Sequence, residues 1–447
     1  MMDSNPYWTA PKQGHDWTDP VVLSAVDWLS SFVCIDQLNE RLSAQEKKYH
    51  EAISARQNGR SASCFDEQDK IAWYLLQGRS FATDRAMFDN DQVCQIIPYL
   101  RRLGMDLELL KQMPGIEIRA LRLMTQEKAQ PDSGIFEFLV ASAYARNGWK
   151  VEFVPETPGI SKQPDLHVRK PGTRWAVECK RLKNSNYEIR EKLQGEEIAK
   201  RFHDWCREND KSLAVDVIFK QELTEISVDF LVSAFSEGHV SRIFEGKFFT
   251  SEVADVRFRP IKWAQAHSVL RVDDVFYGSS RMIEILKGEY QINAQHSMSA
   301  DWIPSDLRPA FAEWVDRASV VSWWSDSKAA KKKRVRHFKQ TLQKAEQQLP
   351  GDRPGIVHIG CPGQFDNEVE GQRHFYNWLH LCDFKTIKSR LRWVNAYLLK
   401  PEHTNDPNET WAFQETAIQY RVAQHNTRNP LPNEMMVVPV EDSIRIG

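Results

Sequence analysis

The chain has 447 residues, of which 41% are hydrophobic and 27% are charged, and its formal net charge is −2. This length allows a large buried core and two or three domains. The near-neutral charge excludes a protein that coats nucleic acid through its overall positive charge, because such binding depends on neutralising phosphates.

Targeting and cofactor signals are few. The sequence starts Met-Met-Asp-Ser-Asn-Pro, without the basic start and apolar run of a signal peptide, and its seven cysteines include no Cys-x-x-Cys pair. We therefore expect a cytoplasmic protein with no structural zinc site. The apolar stretch from Val21 to Val33 is short and carries Asp27, which favours a core helix over a membrane span. Glycine-rich nucleotide-binding motifs are absent from the sequence.

Residues 1–130 are predicted to form a helical N-terminal region. Apolar residues recur at helical spacing before Gly104 and again before Pro114-Gly115. The sequence does not specify the function of this region. Targeting, regulation, and contact with a second copy or a partner protein are all open.

The next predicted element is a helix that carries an acidic residue. Asp132 or Ser133 is expected to cap it, and Asn147-Gly148 to end it. Glu137 lies at the edge of its apolar face. A short alternating strand, residues 149–154, follows.

Two further strands carry the most informative residues. Asp165 follows Pro164 at the start of one strand, and Glu178-Cys179-Lys180 ends the next, after a turn at Lys170 to Gly172. Successive side chains of a strand face opposite ways, so Glu178 and Lys180 share one face while Cys179 points into the core. A helix from about residue 187 to 208 and an apolar strand at Leu213 to Phe219 come next.

This order of helix-Glu, strand, strand with Pro-Asp, strand with Glu-x-Lys, helix and strand resembles the PD-(D/E)xK nuclease superfamily. The resemblance covers about residues 135–219. Glu137 matches the helical acid, Asp165 the motif aspartate, Glu178 the second acid and Lys180 the lysine. It implies an α/β protein with a restriction-endonuclease-like mixed central sheet flanked by helices, in which residues 131–220 form the nuclease core.

The resemblance also implies a chemistry. Asp165, Glu178 and the carbonyl of Cys179, with Glu137 acting through water, would hold Mg²⁺ or Mn²⁺. Lys180 would orient or deprotonate the attacking water and offset charge in the transition state. The expected activity is hydrolysis of phosphodiester bonds in DNA, with RNA left open as a substrate, and the family suggests a bacterial defence or restriction role.

Two alternatives remain open from the sequence. One is a non-catalytic nucleic-acid-binding or scaffold subunit that retains the nuclease fold within a larger complex. The other treats each residue singly, with Glu178 and Lys180 as a surface charge pair, Asp165 as a turn residue and Glu137 as a solvated helix residue. The presence of all four residues on suitable elements favours the nuclease.

The remaining residues, 221–447, are predicted to form an α/β region that either extends the nuclease sheet or folds separately. Strands are expected at 247–250, 269–272, 275–277, 356–359 and 393–399, and helices at 280–287, 328–348 and around 371–388. The candidate nucleic-acid contacts are Arg181, Lys183, Lys332, Arg336 and Lys339. A solvated helix face balanced by acidic neighbours explains the last three equally well.

Overall fold

Two mixed β-sheets organise the chain, which is therefore of the α/β class. The computed structural model describes residues 7–9, 18–57, 62–155, 163–236, 247–306, 308–335, 338–363, 366–386, 389–403, 411–422 and 425–438. Its helices are α1 (Pro20–Ser30), α2 (Ile35–Gln57), α3 (Lys70–Ala82), α4 (Asn90–Met105), α5 (Leu107–Lys111), α6 (Ile116–Thr125), α7 (Pro131–Arg146), α8 (Asn186–Glu208), α9 (Phe230–Ser236), α10 (Trp263–Leu270), α11 (Ser280–Lys287), α12 (Lys328–Arg334), α13 (Lys339–Glu346) and α14 (Asn367–Cys382).

The strands fall into two groups that are interleaved along the chain. They are β1 (Tyr7–Thr9), β2 (Lys150–Phe153), β3 (Leu166–Lys170), β4 (Thr173–Arg181), β5 (Leu213–Phe219), β6 (Lys247–Thr250), β7 (Ala254–Pro260), β8 (Val275–Phe276), β9 (Gln295–Pro304), β10 (Phe311–Ser325), β11 (Pro354–Pro362), β12 (Arg390–His403) and β13 (Trp411–Arg421). The first sheet has the order β1-β13-β12-β11-β4-β3-β2, and the second β6-β7-β5-β10-β8, with β9 paired to β10.

The first sheet combines an antiparallel meander with parallel strands. Strands β2, β3 and β4 pair antiparallel in sequence order, and a tight turn at Pro171-Gly172, where Gly172 has φ +76°, joins β3 to β4. On its other side β4 pairs in parallel with β11, which in turn pairs in parallel with β12. The C-terminal strands expected at 356–359 and 393–399 therefore extend the sheet that carries Glu178.

The N-terminal helices do not have a core of their own. Buried residues of α1 to α7 belong to one hydrophobic cluster with Val168, Trp175, Val177 and Cys179 of the sheet. A second cluster, which includes Ala176, covers the opposite face of this sheet with α13 and α14. The sheet is thus covered by helices on both faces, and the N-terminal region is one of the two layers.

Several sequence expectations are corrected. The strand Leu213–Phe219 forms, but it pairs with β10 and β7 of the second sheet and not within the sheet of Glu178. An apolar run specifies burial without specifying its neighbour, and here α8 carries the chain away from the first sheet. The strand expected at 269–272 is the end of α10 and a turn, where Leu270 packs inward and Val272 is 85% exposed.

Two helix predictions also change in detail. Helix α7 starts at Pro131, and Asp132 accepts hydrogen bonds from Tyr74 and Lys70 in place of capping the helix. The single helix expected over 328–348 is two helices, α12 and α13, because Val335 leaves helical geometry at ψ 95°. This break lets Phe338 and Leu342 bury against the first sheet.

In the described part of the chain, no single helix is both long and apolar enough to cross a membrane. Helices α1 and α2 reach that length and composition only when taken together, across a bend of 118°.

Candidate metal centre and active site

The β3–β4 pairing brings Asp165 alongside the Glu-x-Lys segment. Leu166 pairs with Val177, so Asp165, one residue earlier, lies beside Glu178. The Asp165 Oδ2 atom accepts a hydrogen bond of 2.6 Å from the backbone N–H of Cys179. The aspartate is therefore attached to the strand that carries the other two motif residues.

Glu178 and Lys180 form a partly buried ion pair on one face of β4. The Lys180 Nζ donates to Glu178 Oε1, and the Glu178 side chain is fully buried while that of Lys180 is 27% exposed. The second carboxylate oxygen of Glu178, Oε2, is buried and has no hydrogen-bond partner among the residues that the structure describes. An unpartnered buried carboxylate oxygen is costly unless a cation or donor reaches it.

Glu137 reaches the same cluster from α7, but it is held by an arginine. Arg119 of α6 donates from Nε to Glu137 Oε2 at 2.5 Å and from Nη2 to Oε1 at 2.9 Å, a bidentate pair. Its Nη1 also lies 2.9 Å from Glu127 Oε2. Sequence reasoning missed Arg119. Its position between Ile116 and Leu123, at the helical spacing of the buried face of α6, was the available signal.

The three carboxylates share an environment short of positive charge. Burial raises the pKa of Asp165, Glu137 and Glu178 to about 7 in each case. The charge of Glu178 adds to this for Asp165, and the charge of Asp165 does so for Glu137, whereas Lys180 opposes the rise at Glu178. A further cation would therefore relieve repulsion within this cluster.

The neighbouring carboxylates keep the Lys180 side chain charged. Burial acts to lower its pKa, but the charges of Glu178 and Asp165 outweigh burial and raise it. Lys180 is consequently an ammonium group at neutral pH, and this suits donation of hydrogen bonds better than acceptance of a proton.

The donor chemistry of the cluster fits a hard divalent ion. Asp165 and Glu178 offer carboxylate oxygens, and the Glu178 Oε2 atom has no hydrogen-bond partner within the described ranges. The Cys179 side chain is buried in the core, so its carbonyl oxygen is the group it could contribute. Oxygen-only donors match Mg²⁺ and Mn²⁺. Within the described ranges, no group of three or more His, Cys, Asp or Glu side chains is gathered in a form that could hold a metal.

The two nucleic-acid contacts predicted beside the site, Arg181 and Lys183, have different environments. Arg181 lies on the face of β4 opposite Lys180, where Nη2 contacts the Tyr99 hydroxyl at 3.4 Å and Nη1 donates to the carbonyl of Leu182. Arg181 therefore links β4 to the N-terminal helices. Lys183 is exposed just beyond the end of β4.

Acidic partners neutralise much of the basic run in α12. Lys331 pairs with Asp326 and Glu368, Lys333 pairs with Glu222, and Arg334 pairs with Glu191 through two bonds of 2.6 Å. Lys332 and Lys339 are exposed, and their contact with nucleic acid stays a prediction. Arg336 lies outside the described residues.

Comparison of the chain with protein-family models, with curated proteins and with solved structures gives no match.

Proposed function

We propose that the protein is a divalent-metal-dependent nuclease of the PD-(D/E)xK type that hydrolyses phosphodiester bonds in DNA. The observation that carries this proposal is the meeting of Asp165, Glu178 and Lys180 at neighbouring positions of β3 and β4, with Glu137 coupled to them from α7. The antiparallel pairing of β3 with β4 and the packing of α7 bring all four motif residues together, and this supports the proposal.

The topology around the site supports a restriction-endonuclease-like core. Helix α7 is followed by the meander β2-β3-β4, and a parallel strand lies beside β4. That strand is β11, so the proposed core is split, and the second sheet is inserted between β4 and β11. By the same resemblance, the proposal extends to a role in bacterial defence or restriction.

Each residue of the site would have a distinct role in hydrolysis. Asp165, Glu178 and the Cys179 carbonyl would hold Mg²⁺ or Mn²⁺, which supplies Lewis acidity toward water and the phosphate. Lys180, protonated and aligned by Glu178, would orient the attacking water and offset charge developing on the phosphate oxygens. Arg119 would fix the orientation of Glu137.

A non-catalytic scaffold is the second candidate, and one observation favours it. Glu178 and Glu137 each already pair with a cation of the chain, Lys180 and Arg119 respectively. Such ion pairs could stabilise the fold without any metal. The two candidates differ in whether a divalent ion binds at Asp165 and Glu178.

The test uses the purified full-length chain with supercoiled plasmid, linear duplex, single-stranded DNA and RNA. Each substrate is incubated with Mg²⁺, Mn²⁺, Ca²⁺ or EDTA, and Asp165→Asn serves as the matched variant because an amide oxygen can still accept from Cys179. We expect cleavage of DNA with Mg²⁺ or Mn²⁺ and none by the variant. Absence of cleavage and of any metal-induced change in melting temperature would favour the scaffold, and equal cleavage by Asp165→Asn would reject this site.

A further inference from the structure

Three cations form one row across the strands next to the candidate site. In the register of the first sheet, Lys150 of β2 pairs with Arg169 of β3, and Arg169 pairs with Arg174 of β4. All three side chains are exposed. Like charges at directly opposite positions of a sheet are destabilising, so this arrangement carries a cost in the isolated chain.

The row lies on the same face of the hairpin as the carboxylates. Side chains alternate along a strand, so Asp165, His167 and Arg169 share one face, and Arg174 shares it with Glu178. The opposite face, with Val168 and Trp175, packs against the N-terminal helices. Arg169 lies four positions after Asp165, which corresponds to about 13 Å along the strand.

An open cavity of about 490 Å³ at the β2 edge of the sheet borders this row, and its lining also includes Val168 and Trp175 of the opposite face. Lys150, Arg169 and Arg174 line it together with Arg353, which precedes β11, and Glu152 is the only carboxylate among the described residues of its lining. Arg353 is paired with Asp352. The side chains of Lys150, Arg169 and Arg174 form no ion pair or hydrogen bond with another residue in the described part of the chain. The cavity therefore has an excess of positive charge that the described residues do not balance.

We propose that the row Lys150, Arg169 and Arg174 binds the phosphate backbone of the nucleic-acid strand that enters the candidate active site. The choice of nucleic acid as the ligand rests on the proposed function. That the ligand is an anion follows from the positive charge of the row. The row lies about 13 Å from Asp165 along the strand, so it would contact the backbone a few nucleotides from the bond at Asp165 and Glu178. Its guanidinium groups suit phosphate oxygens because they donate two hydrogen bonds in one plane.

The experiment measures binding of a fluorescent 20-base-pair duplex by anisotropy in EDTA, so that no cleavage or metal is required. The variant is Arg169→Gln/Arg174→Gln, and the control is Lys211→Gln/Arg271→Gln, which removes two exposed cations elsewhere. We expect the first variant to bind about tenfold more weakly or worse and to reduce the slope of log affinity against log salt by roughly 1.8, or about 0.9 per contact. Lys150→Gln alone should reduce the slope by about 0.9.

Melting temperature separates this role from a structural one. Loss of two repelling charges should leave the melting temperature of Arg169→Gln/Arg174→Gln unchanged or raise it. A lowered melting temperature with unchanged affinity and slope would overturn the proposal. Comparison of duplexes with 5′-phosphate and 5′-hydroxyl ends identifies the source of the phosphate. Equal losses support backbone binding, and a loss confined to the 5′-phosphorylated duplex would overturn it in favour of end recognition.

The outcome also separates this inference from the proposed function. If the row binds backbone but the protein is not a nuclease, the wild-type chain binds and the double variant binds weakly, while neither cleaves with Mg²⁺. If the nuclease assignment holds and the row has no role, the double variant binds and cleaves like the wild-type chain.

Discussion

The Asp165 carboxylate accepts a hydrogen bond from the backbone N–H of Cys179 at 2.6 Å, and this bond connects the start of β3 to the middle of the Glu-x-Lys segment. It sets the aspartate beside Glu178 through the backbone of β4, independently of any side-chain rotamer there. The proximity of the two carboxylates is therefore built into the strand pairing, although the charge of Glu178 adds to the rise that burial causes in the pKa of Asp165.

Neutral isosteres at the two carboxylates should separate activity from stability. Asp165→Asn and Glu178→Gln remove metal-holding charge but keep the shape of each side chain, so we expect DNA cleavage to fall below detection. Because each change also relieves carboxylate repulsion, the melting temperature should stay the same or rise by about 1–3 °C. Gel-based cleavage and thermal unfolding test this. Undiminished cleavage by either variant would contradict the assignment.

Lys180→Ala should lower the rate without preventing metal binding. The lysine is an electrostatic donor and not a proposed ligand, so its removal should cost about 10²-fold or more in cleavage rate. Lys180→Arg should rescue only in part, because a planar guanidinium does not replace a compact ammonium group. Single-turnover cleavage and isothermal titration with Mn²⁺ give the two quantities. Equal loss of metal affinity and rate would assign Lys180 a structural role instead.

Metal binding should strengthen as the pH rises through 7. A carboxyl group with a folded pKa of about 7 and an unfolded pKa of about 4 binds more protons when folded, so its contribution to the free energy of unfolding falls as pH rises from 4 to 7. These protons must leave before a cation can bind. We expect Mg²⁺ to raise the melting temperature little at pH 5.5 and more at pH 8. Asp165→Asn/Glu178→Gln should lose this pH dependence, and its persistence there would place the metal elsewhere.

Arg119 should contribute strongly to stability through Glu137. Arg119→Met leaves a buried carboxylate without its partner, a change that typically costs about 3–5 kcal/mol. Arg119→Met/Glu137→Gln should recover part of this loss, because the double variant has no unpaired buried carboxylate at position 137. Lys111→Met, which breaks the exposed pair with Glu108, is the control and should cost about 0–1 kcal/mol. Urea unfolding measures all three, and a loss for Arg119→Met no larger than the control would show that the pair is unimportant.

Local patterns predicted much of the candidate site. Residues 174–180 alternate between apolar and polar, and β4 spans Thr173–Arg181 with Trp175 and Val177 in the core. The helix expected to end at Asn147-Gly148 does so, and Gly148 has φ +72°. These features depend on periodicity and on the conformational range of glycine, which are properties of a few adjacent residues. The sequence could thus assign Glu137 to a helix and Glu178 and Lys180 to one face of a strand.

By itself, the sequence determined the type and the approximate bounds of most elements in this region, because those follow from interactions between near neighbours in the chain. Only the tertiary structure decided which elements meet. It placed β11 and not β5 beside β4, brought Arg119 of α6 to Glu137, and aligned Lys150, Arg169 and Arg174 in one row. Pairing between distant segments depends on complementary packing and register across the whole core. A run of apolar residues predicts that a strand is buried but does not specify the strand with which it pairs.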